Sequence, residues 1–229
     1  VTVLLLLCAC SSLSSEQRDQ LANHSRNAKF YFEGGRLEQA LDQVDRGLEL
    51  EPDNYGLLAL RGTILLRQSN SALGTDHRVL DQAMAILQRV YDMRSPARHE
   101  PFVLLPYALA LQKQGRRHLG EALRLEGQAS RAPDKTELGG AAATERQQAN
   151  EQLLAARGAL QVLVERGETL RLAHSHLLQI AQDLGDDAAF DAAAKAYVAQ
   201  AAKDQAAIRK EVERTAEPAY EAEQMRNLT

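Results

Sequence analysis

Two thiols and six imidazoles are the side chains of this 229-residue chain best suited to chemistry, and their placement limits what that chemistry is. Cys8 and Cys10 both fall within the first ten residues, and no other cysteine exists. A pair this close cannot staple a fold, and there is no third thiol to bridge to. Of the histidines, only His174 and His176 are close in sequence. A spacing of two puts them on different sides of a helix, whereas zinc-binding helices space their imidazoles by four. No phosphate-cradling glycine loop, nucleophile elbow or HExxH motif occurs. Gly34-Gly35 and Gly139-Gly140 read as helix ends, and Asp186-Asp187 as a helix N-terminus that favours negative charge. The expectation is a protein that is not an enzyme, with no cofactor and no metal.

The thiols take their meaning from their surroundings. Val1 to Ala9 is apolar (VTVLLLLCA), and the serine-rich stretch Ser11 to Ser15 follows. About nine apolar residues are too few to span a bilayer, which needs roughly 20, but suit the apolar region of a signal peptide. Leu7-Cys8-Ala9-Cys10 resembles the bacterial lipobox: Leu, a variable residue, a small residue, then the modified Cys. The resemblance implies cleavage after Ala9, loss of residues 1–9 as a signal peptide, and a lipid on Cys10. Residues 10–20 would then be a tether. By the same analogy Ser11 directs the protein to the outer membrane, facing the periplasm. Lipid chains contribute about 0.8 kcal/mol per buried methylene, so two or three anchor a protein of this size. The alternative is a buried apolar N-terminal element containing two inert thiols.

The elements beyond this segment are helical by composition. Hydrophobic residues make up 45% and charged residues 25%, which suits a folded domain rather than a disordered tail. Aromatics are only 4%, and runs of strand-forming residues are missing, so an all-α fold is expected. The net charge of -4 offers no basic face for nucleic acid.

A helical repeat is visible from 21 to 132. In residues 21–54, Ala28, Tyr31, Gly35, Ala40, Val44, Gly47 and Pro52 mark small contacts, a large core position and two helix stops. This order resembles a tetratricopeptide repeat (TPR), a helix-turn-helix unit of about 34 residues. A second unit starts at Tyr55, with Leu58, Gly62 and Leu65 on its first helix. After the polar stretch Gln68 to His77 comes its second helix, Asp81 to Arg94, closed by Pro96. In a looser third unit, Leu104, Tyr107, Ala108 and Leu111 form the first apolar face. Gly115 ends that helix, Arg116 to Leu119 turn the chain, Ala122 and Ala129 carry the second helix, and Pro133 closes the unit. The resemblance implies stacking into a solenoid whose first helices line a concave groove. Its lining would be Ser25, Lys29, Phe32 and Glu33, then Ala59, Thr63, Leu66 and Arg67, then Leu105, Leu109, Gln112 and Lys113.

Residues 133–143 read as a linker, with Pro133, Gly139 and Gly140 interrupting helical periodicity. From 144 a heptad seam runs through Ala149, Leu153, Ala156, Leu160, Leu163, Gly167, Leu170, His174, Leu177, Ala181 and Leu184. Gly167 leaves open whether this is one helix or two. A second seam, Phe190, Ala194, Tyr197, Ala201, Asp204 and Ile208, completes a long helical hairpin over 144–216. Pro218 is expected to end ordered helix, leaving 217–229 as a frayed tail.

These features resemble a TPR-containing bacterial lipoprotein. The implied function is a membrane-anchored scaffold of the cell envelope, gripping other envelope proteins or peptides in its groove. Two other roles stay open: a structural coiled-coil protein that oligomerises, and an accessory subunit of a cell-wall or transport complex.

Overall fold

The structure, a computed structural model, describes residues 13–71, 74–93, 99–131, 136–167 and 170–227. The fold is all-α, and its sole strands among the described residues are a pair of two residues each. The chain divides into two compact units, one up to Arg98 and one from His99.

In the first unit, α1 spans Ser15–Glu33 and α2 spans Leu37–Leu50. Ser14 starts α1 with a reciprocal capping box: its hydroxyl accepts from the Gln17 N–H at 3.1 Å, and the Gln17 side chain accepts from the Ser14 N–H at 2.9 Å. Helix therefore begins inside the expected tether over 10–20. Gly35 reverses the chain after α1 with φ of +73°, a conformation glycine adopts without a Cβ clash. The α1–α2 pair is antiparallel: His24 hydrogen-bonds Gln43 at 3.0 Å, and one turn earlier on α1 Leu21 Cδ1 would lie 3.6 Å from a Cβ on Gly47, one turn later on α2.

Helices α3 (Tyr55–Gln68) and α4 (His77–Asp92) form a second pair. Asn54 caps α3, and Asp76 caps α4 by accepting from the Arg78 and Val79 N–H groups. That cap explains why α4 begins four residues before the expected Asp81. The polar stretch between the helices is an ordered hairpin, β1 (Asn70–Ser71) against β2 (Gly74–Thr75), with Asn70 opposite Thr75. Small residues let the helices approach closely. A Cβ on Gly47 would sit 2.5 Å from Leu57 Cδ1, and one on Gly62 would sit 2.6 Å from Leu87 Cγ. Ala28, Ala40, Val44, Leu57 and Ile64 form one buried cluster, while Leu80, Ala83, Leu87 and Val90 bury the inner face of α4.

The second unit departs from the expectations. Helix α5 runs unbroken from Pro101 to Ala129. Gly115 does not end a helix, and Arg116 to Leu119 form no turn. Gly115 is instead the point of closest approach to α6 (Thr136–Glu165), where a Cβ would lie 2.7 Å from Leu153 Cγ. The third helix-turn-helix unit is therefore absent. The expected linker over 133–143 is largely helix as well, since Gly139 and Gly140 lie within α6.

Ala149, Leu153, Ala156, Leu160 and Leu163 are buried, as the heptad seam required. Their partner is α5, antiparallel, with Arg146 on Glu126 at 2.7 Å and the Arg166 guanidinium donating to the His99 carbonyl. Gly167, with φ of +75°, breaks the long helix, and α7 (Leu170–Leu184) packs on both α6 and α8 (Asp187–Asn227). The second unit thus holds two hairpins, α5–α6 and α7–α8, where the seam had suggested one. Pro218 lies inside α8. A proline removes one backbone hydrogen bond and bends a helix, and it does not always end it.

Candidate binding surface

In α1, Ser25, Lys29, Phe32 and Glu33 fall at intervals of three and four, so they share one face. Ala59, Thr63 and Arg67 do the same on α3. The structure brings these two faces together at one point. The Arg67 guanidinium lies 5.6 Å from the centroid of the Phe32 ring, and its Nη1 donates to the Phe32 carbonyl at 3.5 Å. Phe32 itself is half-buried against the α1–α3 core cluster, so one ring serves the core on one side and a cation on the other. A cation over an aromatic face at an exposed site is worth about 0.5–1 kcal/mol.

The remaining expected groove residues divide. Lys29 and Glu33 are exposed on α1, and Ser25 is half-buried. Thr63 is half-buried, and its hydroxyl donates to the Ala59 carbonyl at 2.7 Å within its own helix. Leu66 and Ala59 are buried in the core and line nothing. Leu109 and Lys113, with Leu105, are half-buried on α5 in the second unit, where burial pushes the Lys113 amine below the ordinary lysine range. Cys10 and Cys8 lie outside the described residues.

Two arrangements were not visible in the sequence. Arg36, just after α1, stacks 4.6 Å from the Tyr31 ring centroid and 5.1 Å from that of Phe30, a second aromatic-cation contact. The run Phe30-Tyr31-Phe32 beside a glycine turn was the available signal. The second is a polar seam in the second unit. Gln112 is 4% exposed, its Oε1 accepts from His176 Nδ1 at 2.7 Å, and its Nε2 donates to Gln179 Oε1 at 3.2 Å. Beside it Arg116 forms a forked pair with Asp183 at 2.7 and 3.2 Å. His176, and not the seam residue His174, is the histidine set against α5. Burial, and then the nearby Arg116 charge, push its pKa below the ordinary imidazole value. Gln112 was expected in the groove, and these bonds hold it inside the unit. Gln112, His176, Gln179, Arg116 and Asp183 each hydrogen-bond within the fold, which gives the seam a packing role.

Among the described residues no group of three or more His, Cys, Asp or Glu side chains is placed to hold a metal. Among the same residues no helix is long and apolar enough to cross a membrane. The depressions in the surface are shallow; one between α1 and α2 is rimmed by His24, Asp42, Asp45, Arg46 and Glu49. The chain matches no protein-family model, no curated protein and no solved structure.

Proposed function

We propose that this chain is a TPR-like lipoprotein of the bacterial cell envelope, a scaffold held to the outer membrane by a lipid on Cys10 and facing the periplasm. It binds other envelope proteins on the α1–α3 face and performs no catalysis. The observation that carries the reading is the Phe32–Arg67 contact. It joins the first helices of two successive helix pairs across 35 residues, close to the period of about 34 that stacked repeats of this family use. Between Lys29 and Arg67 that face offers two cations, the Glu33 carboxylate and one half-buried aromatic ring, which suits an amphipathic segment of a partner. The lipobox-like Leu7-Ala9-Cys10 supports the anchor.

Two experiments test the two halves of this reading. Palmitate-analogue labelling is expected to be lost in Cys10→Ser and kept in Cys8→Ser; labelling that survives both removes the anchor. Partners recovered by crosslinking from membranes are expected to fall away in a Lys29→Glu, Phe32→Leu, Arg67→Glu variant that keeps its helical circular dichroism. An unchanged partner set from that folded variant contradicts the binding face.

A further inference from the structure

Along α5, the residues Arg117, Gly120, Arg124, Gly127 and Arg131 follow steps of four and three, so they form one stripe of the helix. The side that meets α6 carries the buried Ala122, Leu125 and Ala129. At about 100° per residue the stripe falls opposite that side. Gly120, Arg124, Gly127 and Arg131 are exposed, as is Leu123 beside them, and Arg117 is half-buried. The two glycines set this face apart. Nothing lies within 4 Å of a Cβ built on either one. Gly115 is small to admit Leu153; Gly120 and Gly127 admit nothing of this chain. Glycine inside a helix lowers its stability relative to alanine. What it offers is bare backbone that another backbone can approach closely. Around Gly127 the surface dips into a shallow depression lined by Leu123, Arg124, Gln128 and Arg131.

The charge of this face opposes that of the chain, which is -4 overall. The stripe holds three arginines and no acid. Glu121 flanks it and pairs with Arg124 through two hydrogen bonds, and a guanidinium has five donors to give. Glu126 pairs with Arg146 of α6, on the other side of the helix. The arginines recur every seven residues, about 10 Å apart at 1.5 Å per residue. Seven is also the interval at which side chains return to the same face of an adjoining helix. Carboxylates seven apart on such a helix would stand level with the arginines, and each arginine is suited to grip one with two donors. A bilayer surface fits this face less well, because faces that lie on membranes present rows of large apolar side chains. Leu123 is the single large apolar side chain of this face.

We propose that this stripe of α5 docks an acidic helix of a partner protein, one whose carboxylates recur every seven residues and whose backbone lies against Gly120 and Gly127. The stripe belongs to the second unit, so the proposal stands or falls apart from the α1–α3 face. The test uses the full chain with Cys8 and Cys10 replaced by serine. Fluorescence anisotropy follows two labelled, alanine-rich helical peptides of the same composition. One carries three glutamates at intervals of seven; the other carries them at intervals of five, which spreads them around the helix. The first is expected to bind, and the second about tenfold more weakly. Arg124→Gln with Arg131→Gln is expected to weaken the first peptide about tenfold. Gly120→Leu with Gly127→Leu keeps every charge and blocks close approach. That variant is expected to lose affinity about tenfold while its melting temperature holds or rises, since both side chains enter open space. Failure of the first peptide to bind, equal binding of the two peptides, or full binding by the leucine variant overturns the proposal. So does binding to phosphatidylglycerol vesicles, in preference to the peptide, that the arginine variant loses. Circular dichroism confirms that each variant folds.

Discussion

Glycines carry opposite roles in this chain, and the sequence does not distinguish them. Gly115 sits mid-helix where Leu153 and the Ala149 carbonyl press against it; Gly120 and Gly127 sit on the same helix with nothing within 4 Å of a built Cβ. Gly115→Val is expected to destabilise the second unit by about 1–3 kcal/mol through overpacking. Gly120→Ala is expected to stabilise it by about 0.5–1 kcal/mol, because alanine loses less backbone freedom in a helix. Thermal unfolding of the two variants checks the pair, and equal effects would contradict the packing. His176 gives a pH dependence of definite sign. Its Nδ1 donates to Gln112, and burial, then the nearby Arg116 charge, disfavours the charged ring, so its folded pKa lies below the unfolded value of about 6.5. Its contribution is therefore present above that pH and is lost as pH falls through the folded value. Stability of the second unit is expected to fall on acidification below about 6.5, and His176→Gln to flatten that fall. A denaturant midpoint followed against pH measures it, and an unchanged slope in the variant contradicts the assignment.

At the scale of elements, what was legible followed from strong local signals. Gly35, Pro52 and the small-residue order Ala28, Ala40, Gly47 placed α1 and α2, and Tyr55, Gly62 and Leu65 placed α3. The seam Ala149 to Leu163 identified the buried face of α6. What failed needed information from far along the chain. Gly115 as a helix stop and Gly115 as a contact for Leu153 look the same in sequence, because the partner lies on another helix. Leu153 also shows why the seam misled: a heptad face names a buried side but not the helix that covers it. Of the residues proposed to line the groove, Phe32 and Arg67 meet in the structure, whereas Leu66 and Ala59, equivalent to them by spacing alone, are buried. The capping box supplies a test at this scale. Ser14→Ala removes the side-chain acceptor for the Gln17 N–H and is expected to reduce the stability of the first unit by about 1 kcal/mol. Native-state hydrogen exchange at the α1 and α2 amides checks it; no change would place the start of α1 elsewhere.

At the scale of the whole molecule, each unit buries its own core, and each is built from antiparallel helix pairs. A net charge of -4 gives the chain no general electrostatic attraction to nucleic acid or anionic lipid. Function on this account resides in surface shape, centred where Arg67 lies over Phe32. The direct measurement is site-specific photocrosslinking in intact cells. Probes replace Glu33 and Thr63 on that face, leaving Lys29, Phe32 and Arg67 in place, and Glu38 and Gln39 serve as exposed controls on α2. The account predicts the same discrete adducts from Glu33 and Thr63 and none of them from the controls. Adducts shared by all four positions, or absent from Glu33 and Thr63, would contradict it.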